Sequence, residues 1–137
     1  MKNNTEEKKY ELIELDGGGL YRIRAVRDFG FVKTGDMGGF VEGEHNLSHD
    51  GTCWIYDNAL VYDNARVQDD ARIFNRVHVC GSATISGKAR FYNDVYVFGK
   101  ATVSGNVRIY DEVRILGGVS LYGDMFLKGS ATISDVQ

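Results

Sequence analysis

Proline is absent from this chain of 137 residues, and only two cysteines and three histidines occur in it. Two cysteines cannot make a disulfide framework, and Cys53 and Cys80 fit no metal-ligand spacing, so packed thiols in a reducing compartment are expected. The net charge of −3 gives no global basic signature for nucleic acid, and it is too small for an obvious DNA mimic. Neither a leader-like segment nor a long apolar run is present, which predicts a soluble protein of the cytoplasm with no membrane contact. No P-loop, nucleophile elbow or supported carboxylate pair is visible. Glycine, in contrast, is abundant at 17 residues, which suits a chain with many corners.

Residues 53–136 supply those corners. An aliphatic or aromatic residue falls on every sixth position from Ile55 through Val61, Val67, Ile73, Val79, Ile85 and Phe91 to Ile133. Four residues after each but the last stands Ala, Val or Met, as at Ala59, Val77, Val95 and Met125. Two residues after each stands Asp, Asn or Gly, as at Asp57, Asn75, Gly81 and Gly99. Two inward positions two residues apart are strand alternation, and the Asp-Asn, Gly-Ser and Gly-Lys pairs that follow are turn chemistry. Each hexad is therefore a strand of about four residues and a corner. Fourteen hexads run without insertion over 84 residues, and a fixed short period means a solenoid.

A second period gives the number of sides. Positions eighteen apart match: Tyr56, Phe74, Tyr92 and Tyr110 form one column, and Arg72, Arg90 and Arg108 another. Corners Asp57, Asn75, Asn93 and Asp111 stack in a third. Three hexads make a coil of eighteen residues, so the expected fold is all-β, a triangular parallel β-helix of between four and five coils. At about 4.8 Å per rung it is about 20–25 Å long.

The segment 1–52 is expected to form an N-terminal β cap with lead-in loops, ahead of the repeat solenoid at 53–137. Met1–Lys9 is polar and is expected to fray. Tyr10–Leu15 and Leu20–Val26 flank Asp16-Gly-Gly-Gly19, which predicts a hairpin. Phe40–Glu42 is a candidate first rung. No comparable segment follows Ser134-Asp-Val-Gln137, so a partner or a second copy is expected against that end.

Leu20-Tyr-Arg-Ile-Arg-Ala-Val-Arg-Asp-Phe-Gly, Gly35-Asp-Met-Gly-Gly-Phe-Val-Glu, Asn46-Leu-Ser and Cys53-Trp-Ile-Tyr-Asp-Asn-Ala together resemble the hexapeptide-repeat proteins encoded by bacteriophages and prophages. The likeness is close over about residues 10–75 and generic beyond. It implies a left-handed coil, although glycine here stands two residues after the aliphatic position where the family often has it one residue after. The group is largely uncharacterised, and its likeness implies phage or prophage origin. Small phage proteins of this size often disable a host factor, inhibitors of CRISPR nucleases among them.

Alternation assigns the outward residues. The first face is expected to display Trp54, Arg72, Arg90, Arg108 and Phe126, beside Tyr56, Phe74, Tyr92, Tyr110 and Lys128. Arg and Tyr are enriched at interface hot spots, so Trp54, Arg72, Arg90, Arg108, Phe74, Tyr92 and Tyr110 are the candidate contacts with a bacterial host protein, a defence nuclease among the candidates. Ordinary stacking of like β-formers, with the arginines partly neutralised by nearby acids, is the competing reading, and nucleic acid a weaker one. The second face carries Leu60, Tyr62, Tyr96, Phe98 and Leu116, too apolar for a free surface. Self-association is the leading expectation for it; cover by the N-terminal segment is the alternative. The third face, with Arg66, Thr84, Thr102 and Ser120, reads as solvated.

The fold family the repeats resemble is best known for acyltransferases acting from acyl-CoA, in which a histidine serves as general base. His45 and His49 lie in a bend and His78 on an outward rung, and no loop interrupts the hexads to build an acceptor pocket. A non-catalytic protein with no cofactor and no metal is therefore expected. An acyl-CoA enzyme is the runner-up, and a structural or virion component the third reading.

Overall fold

A computed structural model describes residues 8–135 of the chain. Three strands open it: β1 (Tyr10–Glu14), β2 (Tyr21–Ala25) and β3 (Met37–Val41). Fourteen rungs, β4 to β17, then follow in strict rotation around three faces. The first face holds β4 (Trp54–Ile55), β7 (Arg72–Ile73), β10 (Arg90–Phe91), β13 (Asn106–Ile109) and β16 (Asp124–Leu127). The second holds β5 (Leu60–Val61), β8 (His78–Val79), β11 (Tyr96–Val97), β14 (Arg114–Ile115) and β17 (Thr132–Ile133). The third holds β6 (Arg66–Val67), β9 (Thr84–Ile85), β12 (Thr102–Val103) and β15 (Ser120–Leu121).

Every neighbouring pair of rungs is parallel and in register at eighteen residues, as in Trp54↔Arg72, Arg72↔Arg90 and Arg90↔Arg108. The protein is thus a three-sided β-solenoid with a coil of eighteen residues. Most rungs are strictly paired over two residues rather than four, because the chain must bend again so soon. Backbone bonds to the next coil continue on either side, for example Tyr56 N–H to the Ile73 carbonyl at 2.7 Å.

The aliphatic column is the core. Ile55, Val61, Ile73, Val79, Ile85, Val97, Ile109 and Ile115 are fully buried, and the small column (Ala59, Ala65, Ala71, Val77, Ala83) fills the space between them. Each such Val or Ile contributes roughly 1.5–3 kcal/mol relative to exposure. Towards the last coil the core loosens: Met125, Leu127 and Ile133 are half-buried and Ala131 is exposed.

Corners obey one rule. Every corner from Asp57 to Gly129 has positive φ, between 58° at Asp57 and 94° at Gly129. Asp and Asn tolerate that conformation and gain something from it. Asp57 Oδ2 accepts the Asn75 N–H (2.9 Å), Asn75 Oδ1 the Asn93 N–H (2.8 Å), Asn93 Oδ1 the Asp111 N–H (3.0 Å) and Asp111 Oδ2 the Gly129 N–H (3.0 Å). A side-chain ladder thereby satisfies corner donors that the strand ladder cannot reach.

The N-terminal segment is more ordered and more closely packed than its polarity suggests. The hairpin forms, with Tyr10↔Ala25 to Glu14↔Tyr21 in register. It does not lie over the second face. β2 pairs antiparallel with β3, and β3 pairs parallel with β5, so the hairpin extends the second-face sheet to eight strands, in the order β1-β2-β3-β5-β8-β11-β14-β17. Cover by the N-terminal segment is thereby corrected to extension of the sheet edge. Phe40–Val41 serves as a rung, as expected, paired with Leu60–Val61. Gly38 and Gly39 are needed there. A Cβ on Gly39 would lie 2.4 Å from the Ala59 carbonyl oxygen and one on Gly38 2.5 Å from that of Ile55.

Fraying of Met1–Lys9 is also corrected, for the two residues that are described; residues 1–7 lie outside them. Lys8 pairs with Glu44 at 3.1 Å. Lys9 is fully buried, and its Nζ donates to the carbonyls of Asp50 (3.3 Å) and Gly51 (3.2 Å) and to Cys53 Sγ (3.3 Å). Burial pulls the Lys9 amine below its ordinary range and pushes the Cys53 thiol up. Asn46 is a second buried clip. Its Oδ1 accepts from Glu42 N–H and Gly43 N–H, and its Nδ2 donates to the carbonyls of Asp63 and Ala65. All its hydrogen-bonding groups are thus used in place of a rung. Leu47 beside it bridges to Val67 and extends the third face by one position.

Candidate protein-binding face

The first face brings together most of the side chains expected on it. Phe74 stacks on Tyr56 at 4.3 Å between centroids and 9° between planes. Tyr92 stacks on Phe74 (4.7 Å, 6°) and Tyr110 on Tyr92 (4.6 Å, 8°). Phe126 then closes the row edge-on, at 5.2 Å and 87°. Exact eighteen-residue register makes this stack: a shift by one residue would turn the rings inward.

Arg72, Arg90 and Arg108 run beside the rings, paired directly across β7, β10 and β13. All three are half-buried, and the Nε of each is buried without a hydrogen-bond partner. Among the described residues the ion pairs are Lys8–Glu44, Arg24–Glu11, His49–Glu44 and Arg76–Asp94, and none reaches this column. Partial neutralisation by nearby acids, the competing expectation, is thus not seen as ion pairing. Three like charges at about 4.8 Å spacing repel by roughly 1–4 kcal/mol per neighbouring pair, depending on local solvation. Aromatic rings offset part of this at both ends: Phe31 lies 4.8 Å from the Arg72 guanidinium carbon and Phe126 lies 5.7 Å from that of Arg108.

Trp54 is a correction. Alternation places it outward at the head of the arginine column, yet it is only 1% exposed. Phe29 packs edge-on against it at 5.2 Å, and Tyr10 at 6.2 Å. The cover comes from a tight turn in which Phe29 and Val32 exchange both backbone hydrogen bonds, 2.9 and 2.8 Å. Gly30 in that turn takes φ of 53°. The same turn throws Phe31 outward, 77% exposed, onto Arg72. Phe31 therefore heads the arginine column where Trp54 was expected. The periodic part of the sequence carries no sign of it. The apolar residues Phe29, Phe31 and Val32 around a glycine, in an otherwise polar loop, are the signal the sequence offers.

On the second face Leu60, Tyr62, Tyr96 and Leu116 are half-buried and Phe98 is 46% exposed. Tyr96 and Phe98 lie 6.0 Å apart and 12° from parallel. Cys80, also outward by alternation, is buried, with its Sγ 3.9 Å from the Tyr96 hydroxyl. The third face is polar, and Thr102 Oγ1 donates to Ser120 Oγ across coils at 2.9 Å.

The three histidines do not converge. His78 sits between Tyr62 and Tyr96 on the second face, 6.3 and 6.0 Å from their rings. His45 Nε2 lies 2.9 Å from the Asp63 carbonyl. His49 stacks on Tyr10 at 4.1 Å; its Nδ1 accepts the Lys9 N–H (3.1 Å) and its Nε2 faces Glu44 Oε1 (2.8 Å). Both ring nitrogens of His49 are thus occupied in holding the N-terminal segment. A groove of about 560 Å³ lies beside it, lined by Glu44, His45, His49, Arg66 and neighbours. Among the described residues no cluster of His, Cys, Asp and Glu has a metal-binding arrangement, and no helix is long and apolar enough to cross a membrane.

No family model and no curated protein matches this chain.

Proposed function

We propose that this chain is a non-catalytic, protein-binding β-solenoid of phage or prophage type, which binds and inhibits a bacterial host protein, with defence nucleases such as CRISPR effectors as the candidate target class. It works in the host cytoplasm. The observation that carries the reading is the first face, where three half-buried arginines without carboxylate partners stand beside a continuous aromatic stack. Repulsion within such a column is relieved when a partner brings carboxylates to it, and the paired rungs present the contacts with little backbone ordering cost on binding. The second face, through Leu60, Tyr62, Tyr96, Phe98 and Leu116, is assigned to self-association. Phage or prophage type rests on the sequence resemblance alone.

The test is affinity capture from bacterial lysate with the wild type and an Arg72→Ala, Arg90→Ala, Arg108→Ala variant, read by mass spectrometry. One stoichiometric host protein lost in the variant supports the reading. A clean lysate, together with retention on immobilised CoA, overturns it in favour of the acyl-CoA enzyme.

A further inference from the structure

We infer that the arginine column of the first face takes a row of carboxylates: a short extended segment of a partner protein, with an acidic centre and apolar residues at its two ends. This rests on the proposal that the first face binds protein, and names the chemistry it selects.

Three features of the face select carboxylate. The first is how the guanidinium groups are held. Each Nε is buried and unpartnered, which leaves the two terminal amino groups as the donors a ligand can meet. Two N–H bonds from that end match the two oxygens of a carboxylate. The second is the orientation of the rings. Tyr56, Phe74, Tyr92 and Tyr110 cover one another's faces at 4.3–4.7 Å, so the row offers ring edges to a ligand lying along it. Ring edges carry the positive part of the quadrupole and favour an anion. Single-stranded nucleic acid needs free ring faces on which bases can stack, and this row spends its faces internally.

Third is the width of the cationic strip. It is one side chain wide. Asp57, Asp111 and Glu112 stand exposed at the corner on the aromatic side, where Arg76 is paired with Asp94, and Asp69 and Asp124 flank Lys88 at the corner on the other. A duplex or a broad phosphate backbone would meet these carboxylates, whereas one extended peptide would not. From Arg72 to Arg108 the column spans two rungs, about 10 Å, or about three extended residues. Phe31, against Arg72, and Phe126, against Arg108, stand exposed at its two ends, so the whole strip spans about three to four rungs, at most about 19 Å. Six or seven extended residues cover that distance, with apolar side chains at the ends against the phenylalanines and Asp or Glu between them.

The test uses the full chain and a fluorescein-labelled peptide, Leu-Glu-Glu-Glu-Glu-Leu flanked by glycines, read by anisotropy at 50 and 300 mM NaCl. Its controls are the Gln counterpart, an oligothymidylate of similar length and inorganic polyphosphate. The Glu peptide is expected to bind at least tenfold tighter than the Gln peptide and the oligothymidylate, and to weaken at the higher salt. Arg90→Gln should weaken it at least tenfold, and Arg90→Lys, which keeps the charge without the paired donors, should fall between. Unchanged circular dichroism and melting temperature show that both variants fold. Tighter binding of oligothymidylate or polyphosphate, lost in Arg90→Gln, would overturn the inference in favour of a phosphate ligand. Glu-peptide binding that is absent, or that survives Arg90→Gln, would overturn it outright. A host protein captured equally by wild type and the triple arginine variant, with no peptide binding, would sink this inference and leave a protein-binding solenoid working through another face. Arg90-dependent peptide binding with no host protein captured would do the reverse.

Discussion

Asp57 Oδ2 accepts two hydrogen bonds from the residue one coil on, the Asn75 N–H at 2.9 Å and its Nδ2 at 3.2 Å. Asn75 in turn accepts the Asn93 N–H at 2.8 Å, and its own φ is 58°. The corner residue thus does two things, tolerating a left-handed backbone and tying one coil to the next. Asn75→Ala loses both and is expected to destabilise the protein by about 2–3 kcal/mol. Asn75→Gly keeps the backbone conformation but loses the side-chain acceptor and the Nδ2 donor, and should cost about 1–2 kcal/mol; Asn75→Asp keeps the acceptor, as Asp111 does in the same column, but sets a carboxylate against that of Asp57 and should cost about 1 kcal/mol. Urea denaturation of the three variants checks the order.

Trp54 and Tyr92 make a second contrast. Both are outward by alternation, but one is buried under Phe29 and the other stands on the open face. Trp54→Ala is expected to cost about 3–5 kcal/mol and to loosen the N-terminal segment. Tyr92→Ala should cost about 1–2 kcal/mol, since it breaks the stack without opening the core. Equal melting temperatures for the two variants would contradict this account of the cap.

That contrast marks the boundary of what sequence patterning reaches. Each rung, the eighteen-residue register, the columns and the positive-φ corners at Asp57, Asp63, Asp69, Asn75, Asn93 and Asp111 are legible, because one local rule repeats and each coil contacts the next in the same way. The hairpin is legible from alternation around three glycines. The burial of Trp54 and Lys9 and the placing of Phe31 are not. They depend on how a non-periodic segment folds back on the first coil, and nothing in Phe29-Gly30-Phe31-Val32 or in the charged start says where it will land. Of the candidate contacts, the three arginines and Phe74, Tyr92 and Tyr110 fall where alternation puts them, since inside the array alternation suffices.

Acid should act first on the N-terminal segment. The hydrogen bond from His49 holds the Glu44 carboxyl below its ordinary value, with the Lys8 ammonium adding to it. The Thr52 hydroxyl and N–H do the same for Asp70. With a folded pKa below the unfolded one, the unfolded chain binds more protons through that range, so this stability is present above the unfolded value and is lost as pH falls through the folded one. Urea midpoints taken from pH 6 down to 3 should therefore fall below about pH 4.5. Glu44→Gln should show a shallower fall, and an identical pH profile for that variant would contradict the assignment.

If the second face joins copies of this chain, Phe98 is its most exposed contact. Phe98→Glu should then shift the protein to a single copy in light scattering and leave the melting of a dilute sample unchanged. Wild type that is already monomeric at high concentration would remove self-association from the proposal.

If the chain works as proposed, the first face is the one that meets the partner. Hydrogen–deuterium exchange of the purified complex with the captured host protein tests it most directly, read against the free chain and repeated with the triple arginine variant. Slowed exchange in the Phe29–Val32 turn and in β7, β10 and β13, with β8, β11 and β14 unchanged and no complex formed by the variant, is the predicted result. Slowed exchange confined to the second or third face, with the variant still forming the complex, would contradict it.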